Sequence, residues 1–323
     1  MQRILIVKTS SLGDVIHNLP VIHDIRAHFP HLLIDWVVET SFADIPRMHP
    51  NVNQVFTIDL RRWRNRLLAK NTWAEIHQFK QLISQINYDA VIDTQGLLKS
   101  ALIMRQAHGT KHGYDRRSIR DPMASFFYQQ KYDIPFNQNA VQRMRKLLAL
   151  SLGYTIPISL PDYGIQASKS LVFSDVDYLD KPFIIGLHGT SRDSKLWPTE
   201  HWIKLGKKLA EQNYNLVLPW SNETELERAK HIENALQNSM VLPKLKLTEV
   251  ATIISKANAA IGVDTGLSHL ACALNIPTIA IYTDTNPALT GVLAGAHAQA
   301  INLGGIGEIP RVASVIDSLD KII

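Results

Sequence analysis

The stretch ILIVKTSSLGDVIHNLPVIHDIRAHFPHLLIDWVVE, residues 4–39, decides the architecture. ILIV at 4–7 is a continuous apolar run of strand length. A turn of small and polar residues follows, and from 14 to 29 apolar residues recur at 15, 16, 19, 22, 25 and 29, the period of a helix. IDWVVE at 34–39 reads as a second strand. Strand, helix and strand in this order make a parallel unit, because a parallel pair needs a crossover long enough to hold a helix.

The alternation continues outward from that unit. VFTID (55–59) and YDAVIDT (88–94) read as strands, and 73–86, 97–107 and 139–153 read as helices, the last stopped by Gly153. Residues 155–168 lack periodicity and are rich in Pro, Ser and Gly, which marks a linker. The pattern then restarts. FIIGLH (183–188), YNLVLPW (214–220), AAIGVD (259–264) and TIAIY (278–282) read as strands, with helices at 199–212, 223–236, 247–257 and 267–275. The expectation is α/β with two doubly wound, Rossmann-like domains. The first spans 1–160 and the second 161–323, with the last helix free to pack back on the first. Ligands of such sheets bind at the carboxyl ends of the strands, so the site is expected in a cleft between the domains.

Composition narrows the class. With 46% hydrophobic and 20% charged residues in 323, a packed chain of two ordinary domains is expected, not a disordered one. A lone cysteine, Cys272, excludes an internal disulfide and points to a reducing compartment. The lysine after four apolar residues argues against a signal peptide, and no apolar run approaches the ~18–20 residues of a membrane span. A soluble or peripheral cytoplasmic protein is expected. Of the net +5, residues 1–150 carry 20 Lys+Arg against 12 Asp+Glu, or +8, which leaves 14 against 17, or −3, for the remainder. The first half is thus the one suited to a polyanion, although uneven solubilising charge reads the same way.

Four segments carry chemistry. In KTSSLGD (8–14), Ser10, Ser11 and Gly13 form a turn whose backbone N–H groups can hold a phosphate or sugar hydroxyl. Asp14 stands at a strand's carboxyl end, placed as a general base or as a helix cap. In GVDTGLSHL (262–270), Asp264 and Thr265 end a strand, Gly266 admits a bulky group, and Ser268 and His269 open a helix whose dipole favours an anion. In HGTSRDSKLWP (188–198), Thr190 and Ser191 can donate to phosphate oxygens and Lys195 can neutralise a departing diphosphate, or the loop is simply solvated. RRWRNR (61–66) and the group Lys111, His112, Arg116, Arg117 and Arg120 suit phosphates and carboxylates, with the tryptophan free to lie at a headgroup interface. No aromatic-interleaved stripe for nucleic acid is evident. Glu223, Glu225 and Glu227 follow a strand of the second half; any of them could hold a ribose or serve the helix start. Neither a Walker A loop nor a dinucleotide glycine fingerprint is present.

KTSSLGDVIH (8–17), DWVVE (35–39), RRWR (61–64), AVIDTQGLLKSA (90–101), LWP (196–198) and VDTGLSHL (263–270) together resemble the ADP-heptose:lipopolysaccharide heptosyltransferases, over nearly the whole chain and in order. RRWR and SSLGD point to the branch that adds the first heptose. The resemblance implies a GT-B fold, with the acceptor on the first domain and the nucleotide-sugar on the second. It implies transfer of L-glycero-D-manno-heptose from ADP-heptose to the Kdo of Kdo-lipid A, with inversion, at the inner-leaflet surface of the inner membrane. Asp14 then looks like the general base, and Thr190, Ser191 and Lys195 like diphosphate contacts. Glu225 looks like the ribose contact, and Asp264, Thr265, Gly266 and His269 like further donor contacts. Arg61, Arg62, Arg64 and Arg120 look like acceptor contacts. ADP-heptose is the co-substrate, no other cofactor is implied, and divalent-ion dependence is left open, as no D-x-D pair stands at a strand end. Two departures stand out. Thr190-Ser191 replaces the family's frequent Thr-Thr, which keeps the hydroxyl, and Leu245 replaces a methionine expected beside the adenine, which keeps an apolar wall. The competing readings are another nucleotide-sugar transferase of the same family, a nucleotide-sugar epimerase, and a non-catalytic glycolipid-binding protein sharing the fold. An epimerase would need a catalytic lysine or cysteine at the cleft, and Cys272 reads as structural.

Overall fold

A computed structural model describes residues 1–168 and 181–323, in two compact units, Met1–Ile165 and Gln166–Ile323. The first unit holds six parallel strands: β1 (Arg3–Val7), β2 (Leu33–Glu39), β3 (Gln54–Ile58), β4 (Asn87–Asp93), β5 (His108–Tyr114) and β6 (Gln130–Tyr132). Their order across the sheet is β3-β2-β1-β4-β5-β6. The order reverses between β1 and β4, so the turns after these two strands flank the crevice where such sheets bind ligands. Ile4, Leu5, Ile6 and Val7 of β1 are wholly buried, as a central strand covered on both faces requires.

The helix expected over 14–29 is two helices, Leu12–His17 and Pro20–His28. Pro20 has no N–H to continue the ladder, and its fixed φ suits the first position of a new helix. The N–H groups of Asn18 and Leu19 turn instead to Val15 and Ile16, three residues back. RRWRNR lies largely in a further helix, Leu60–Asn65.

The linker segment has no regular secondary structure up to residue 168, yet it is tied down. The Arg145 guanidinium, 1% exposed, grips the Asp24 carboxylate with two bonds of 2.7 and 2.9 Å. Its remaining N–H groups reach the carbonyls of Ser159 and Pro157. Gly164, at φ +62°, lies so close to the His49 ring that a Cβ there would fall 2.4 Å from Nε2.

The second unit repeats the plan with β7 (Phe183–Leu187), β8 (Asn215–Leu218), β9 (Ser239–Val241), β10 (Ala259–Val263), β11 (Thr278–Tyr282) and β12 (Ala300–Gly304). All are parallel, in the order β12-β11-β10-β7-β8-β9, with the reversal between β7 and β10. The helix Thr199–Glu211 carries Leu205 and Leu209 into the core, where they meet Val315, Leu319 and Ile322 from the chain's end. The last helix, Val312–Leu319, is seated on its own unit's core. The helix Thr199–Glu211 is capped at Pro198. Cys272 is buried, as a structural residue should be. Among the described residues no helix is long and apolar enough to cross a membrane.

Candidate active site

The turn after β1 is held from beneath. The Gln95 side-chain oxygen, from the turn after β4, accepts the N–H groups of Thr9 and Ser10, each at 3.1 Å. Ser11 gives both its N–H and its hydroxyl to Asp14 Oδ2 at 3.0 Å. The Ser10 and Ser11 N–H groups expected to receive a ligand are thus already used, a correction that follows from partners not visible in the turn itself. Ser10 still offers its hydroxyl, which meets Lys99 Nζ at 3.2 Å, and Gly13 lies in the first turn of the helix Leu12–His17.

Asp14 does two jobs with two oxygens. Oδ2 caps the helix. Oδ1 faces Lys8 Nζ at 3.6 Å, and Asp14 remains about a third exposed while Lys8 is buried. Lys8 also donates to the Thr94 carbonyl at 3.3 Å. Burial opposes charge on Asp14, but Lys8, His17 and the two Ser11 donors outweigh it and hold the carboxyl well below the usual carboxylate range. Lys8 is pushed down by burial, against the pull of Asp14 and Asp93. Asp93, wholly buried at the end of β4, accepts from the N–H groups of Gln95 and Gly96 and from the hydroxyls of Ser100 and Tyr128. It shapes the turn that carries Gln95. Lys8, Asp93 and Gln95 were not singled out from the sequence.

The basic clusters divide. Arg62 is clamped by Asp59 at 2.7 Å and by Glu75, and Glu75 also takes the Trp63 indole N–H at 2.8 Å. Arg62 is therefore engaged within the protein, and buried Trp63 is not free to sit at a headgroup interface. Lys111 spends its ammonium on the carbonyls of Ala107 and Gly109, and His112 is buried beside the Tyr132 hydroxyl. Arg61, Arg64, Arg116, Arg117 and Arg120 remain exposed.

In the second unit, the turns after β7, β10 and β11 converge on Asp264. Lys195 Nζ meets Asp264 Oδ2 at 2.6 Å, and the Thr285 hydroxyl donates to the same oxygen at 2.7 Å. The Thr190 hydroxyl donates to the Asp264 carbonyl at 2.9 Å. Thr283 donates to the Ser194 carbonyl, and Ser194 to Asp284. Thr265 caps the helix Gly266–Ala273, which carries His269 in its first turns. The Ser268 hydroxyl is spent on the Val263 carbonyl and packs against Gly262, so it is not a phosphate donor. Ser191 lies exposed beside Thr190.

Of the three glutamates, Glu225 is the one drawn to the strand ends. Its carboxylate accepts the Ser221 N–H and hydroxyl at 2.7 and 2.8 Å, and it lies where a Cβ on Gly189 would be 2.5 Å away. Glu223 and Glu227 are exposed. Leu245 is half-buried in the loop after β9, near where Lys244 Nζ stands 5.8 Å above the Trp220 ring. Thr285, Thr283 and Ser221 carried no motif signal, because each acts only on a partner distant in sequence or on a loop neighbour.

Chemically, the first unit presents an ionised carboxylate beside a buried ammonium. The second presents hydroxyls, a helix start and a lysine held by a carboxylate, a set that suits a diphosphate. No group of three or more His, Cys, Asp or Glu suited to a metal ion occurs among the described residues.

A model of glycosyltransferase family 9 (heptosyltransferase) matches residues 76–314. The lipopolysaccharide heptosyltransferase 1 of Escherichia coli is 45% identical over 97% of this chain and 100% of its own length. That of Pseudomonas aeruginosa is 43% identical over 90% of this chain and 81% of its own length. The structure of E. coli heptosyltransferase WaaC with ADP superposes with a TM-score of 0.89 at 39% identity, covering 99% of both chains. WaaC with ADP-2-deoxy-2-fluoro heptose gives 0.86 over the same coverage. The chain belongs to glycosyltransferase family 9, the heptosyltransferases, and has their GT-B type of fold.

Proposed function

We propose that this chain transfers L-glycero-D-manno-heptose from ADP-heptose to the Kdo of Kdo-lipid A, with inversion, as the first heptose of the lipopolysaccharide inner core. It would work peripherally on the cytoplasmic face of the inner membrane. The observation that carries the reading is Asp14, ionised and partly exposed at the β1 end where the strand order reverses. Asp14 Oδ1 takes the proton of the attacking Kdo hydroxyl. A bond forms from the Kdo hydroxyl oxygen to the heptose anomeric carbon as the bond from that carbon to the phosphate oxygen breaks, and the electron pair leaves with ADP. The transition state is oxocarbenium-like, as in glycoside hydrolysis. The leaving diphosphate needs charge stabilisation, for which Lys195, Thr190, Ser191 and the helix start at Gly266, with His269, are the candidates. Lys195 would share its charge between Asp264 and the diphosphate. Glu225 would hold the ribose hydroxyls, Leu245 would wall the adenine, and Asp264 and Thr265 would order the donor loop. Ser10 and Gly13 would border the sugar. Arg61, Arg64 and Arg120 would meet the acceptor's anionic groups, with Arg62 steadying the helix that carries Arg61 and Arg64 through its clamp on Asp59 and Glu75.

The test is turnover of ADP-heptose with deacylated Kdo-lipid A, with and without EDTA, and the anomeric configuration of the product read by NMR. Inverted heptosyl-Kdo supports the reading. Absence of product, or retention at the anomeric carbon, overturns it.

A further inference from the structure

Several large apolar side chains of the first unit are exposed, Ile158, Leu160 and Phe136 among them, and two groups of them stand near the carboxyl ends of its strands. One is the loop between the helices Leu60–Asn65 and Lys70–Ser84 with the first turn of the second helix, where Leu67 is half exposed, Leu68 fully exposed and Trp73 58% exposed. The Trp73 indole N–H is bonded to the Leu67 carbonyl at 2.7 Å, so the loop is braced in this form. The other joins the helix Leu98–Met104 to the 3-10 turn Pro122–Phe127, which pack together. Leu98 and Leu102 share one helix face, and Met123 and Phe126 one side of the turn, all four exposed. Asp121 ties them: it accepts the Leu98 and Met123 N–H groups and donates its own N–H to the Gly96 carbonyl.

Each group has basic residues close to it along the chain: Arg61, Arg64, Arg66 and Lys70 beside the first, and Lys99, Arg105, Arg116, Arg117 and Arg120 on the segments that carry or lead into the second, all exposed. The sheet fixes how these groups lie about Asp14. All six strands are parallel, so the loops after β3, β4 and β5 leave the same edge as the Asp14 turn after β1. Strands β2, β1 and β4 separate β3 from β5, which puts the two loops roughly 19 Å apart across the sheet, with the Asp14 turn between them. Exposed leucine, tryptophan, methionine and phenylalanine are costly in water. Cationic side chains beside them along the chain complement one partner well, a surface with anionic headgroups above hydrocarbon.

We infer that these two groups are a pair of feet that enter an anionic lipid bilayer, Leu67, Leu68 and Trp73 on one side of the Asp14 turn and Leu98, Leu102, Met123 and Phe126 on the other. The inference rests on the reading that the acceptor is a membrane glycolipid, and adds how the protein reaches it: the turn is held over the headgroups, so the sugar is met without extraction of its acyl chains.

The test uses the full chain and vesicles that contain no acceptor, of phosphatidylcholine with or without phosphatidylglycerol, with binding measured by co-sedimentation. Wild type binds only the anionic vesicles. The double variants L67E/L68E and M123E/F126E each weaken that binding by about tenfold or more. Both keep wild-type turnover on the soluble deacylated acceptor, which also shows that they fold, and both lose turnover on acceptor embedded in vesicles. Undiminished vesicle binding by both variants overturns the proposal. So does a wild-type dimer that the variants dissolve, which would make these faces a contact between two copies. Failure of wild type on the soluble acceptor would instead strike the reading of the reaction and leave vesicle binding to be judged by itself.

Discussion

The turns at the two strand-order reversals differ in how they treat a lysine beside an aspartate. In the first unit Lys8 is buried and Asp14 is the exposed partner. In the second, Lys195 and Asp264 are both partly accessible, 2.6 Å apart and ringed by hydroxyls. The sheets behind them have one topology. A hidden cation beside a reachable carboxylate makes a base that stays charged. A reachable cation beside a carboxylate makes an anion grip that is preset. On the proposed reading, one fold carries two tools, distinguished by whether the lysine is hidden or reachable.

The predictions press on that contrast. Asp14→Ala should lower the transfer rate by ~10²–10⁴, the usual loss for a general base, measured as kcat with deacylated acceptor. Lys195→Ala should lower kcat/KM by ~10²–10³ through lost stabilisation of the leaving diphosphate. Lys8→Met should act through pH. With its ammonium gone, burial raises the Asp14 carboxyl against only His17 and the Ser11 donors, so the acid limb of kcat/KM moves to higher pH, and Lys8→Arg should restore it. An unmoved limb would remove Lys8 from the role of holding Asp14 ionised.

The smallest effect concerns stability. Burial lowers His188 and His49 from 6.5 to about 4. Below about 6.5 the unfolded chain takes up protons that the fold refuses until about 4, so stability is fully present above 6.5 and drains as pH falls across that window. Thermal midpoints should decline from pH 6.5 to 4, with a shallower slope in His188→Phe.

Much of this was legible. β1, β2, β4, β7, β10 and β11 are apolar runs between helical periods, and the motifs at their ends stand out because small residues and charges interrupt hydrocarbon. β5 (HGTKHGY) and β6 (QKY) escaped notice because they are polar strands at or near a sheet edge, where pairing does not require two apolar faces, and β12 (AINLG) because Asn302 and Gly304 break its short apolar run. β9 is too short to show a period. Lys8 was passed over because a lysine ending a strand reads as a solvent charge, and its burial depends on Asp14 and on Thr94, eighty-six residues away. Arg62 and Trp63 read as surface groups until Glu75, from the next helix, claimed both. Motif residues were visible; the carboxylates and amides that redirect them were not, because those partners come from other elements.

The division of labour is tested most directly by ADP titration of Asp14→Ala and Lys195→Ala beside wild type. The account predicts unchanged ADP affinity for Asp14→Ala and a loss of about tenfold or more for Lys195→Ala, whose ammonium would face the phosphates. Equal loss in both variants, or none in Lys195→Ala, would contradict it.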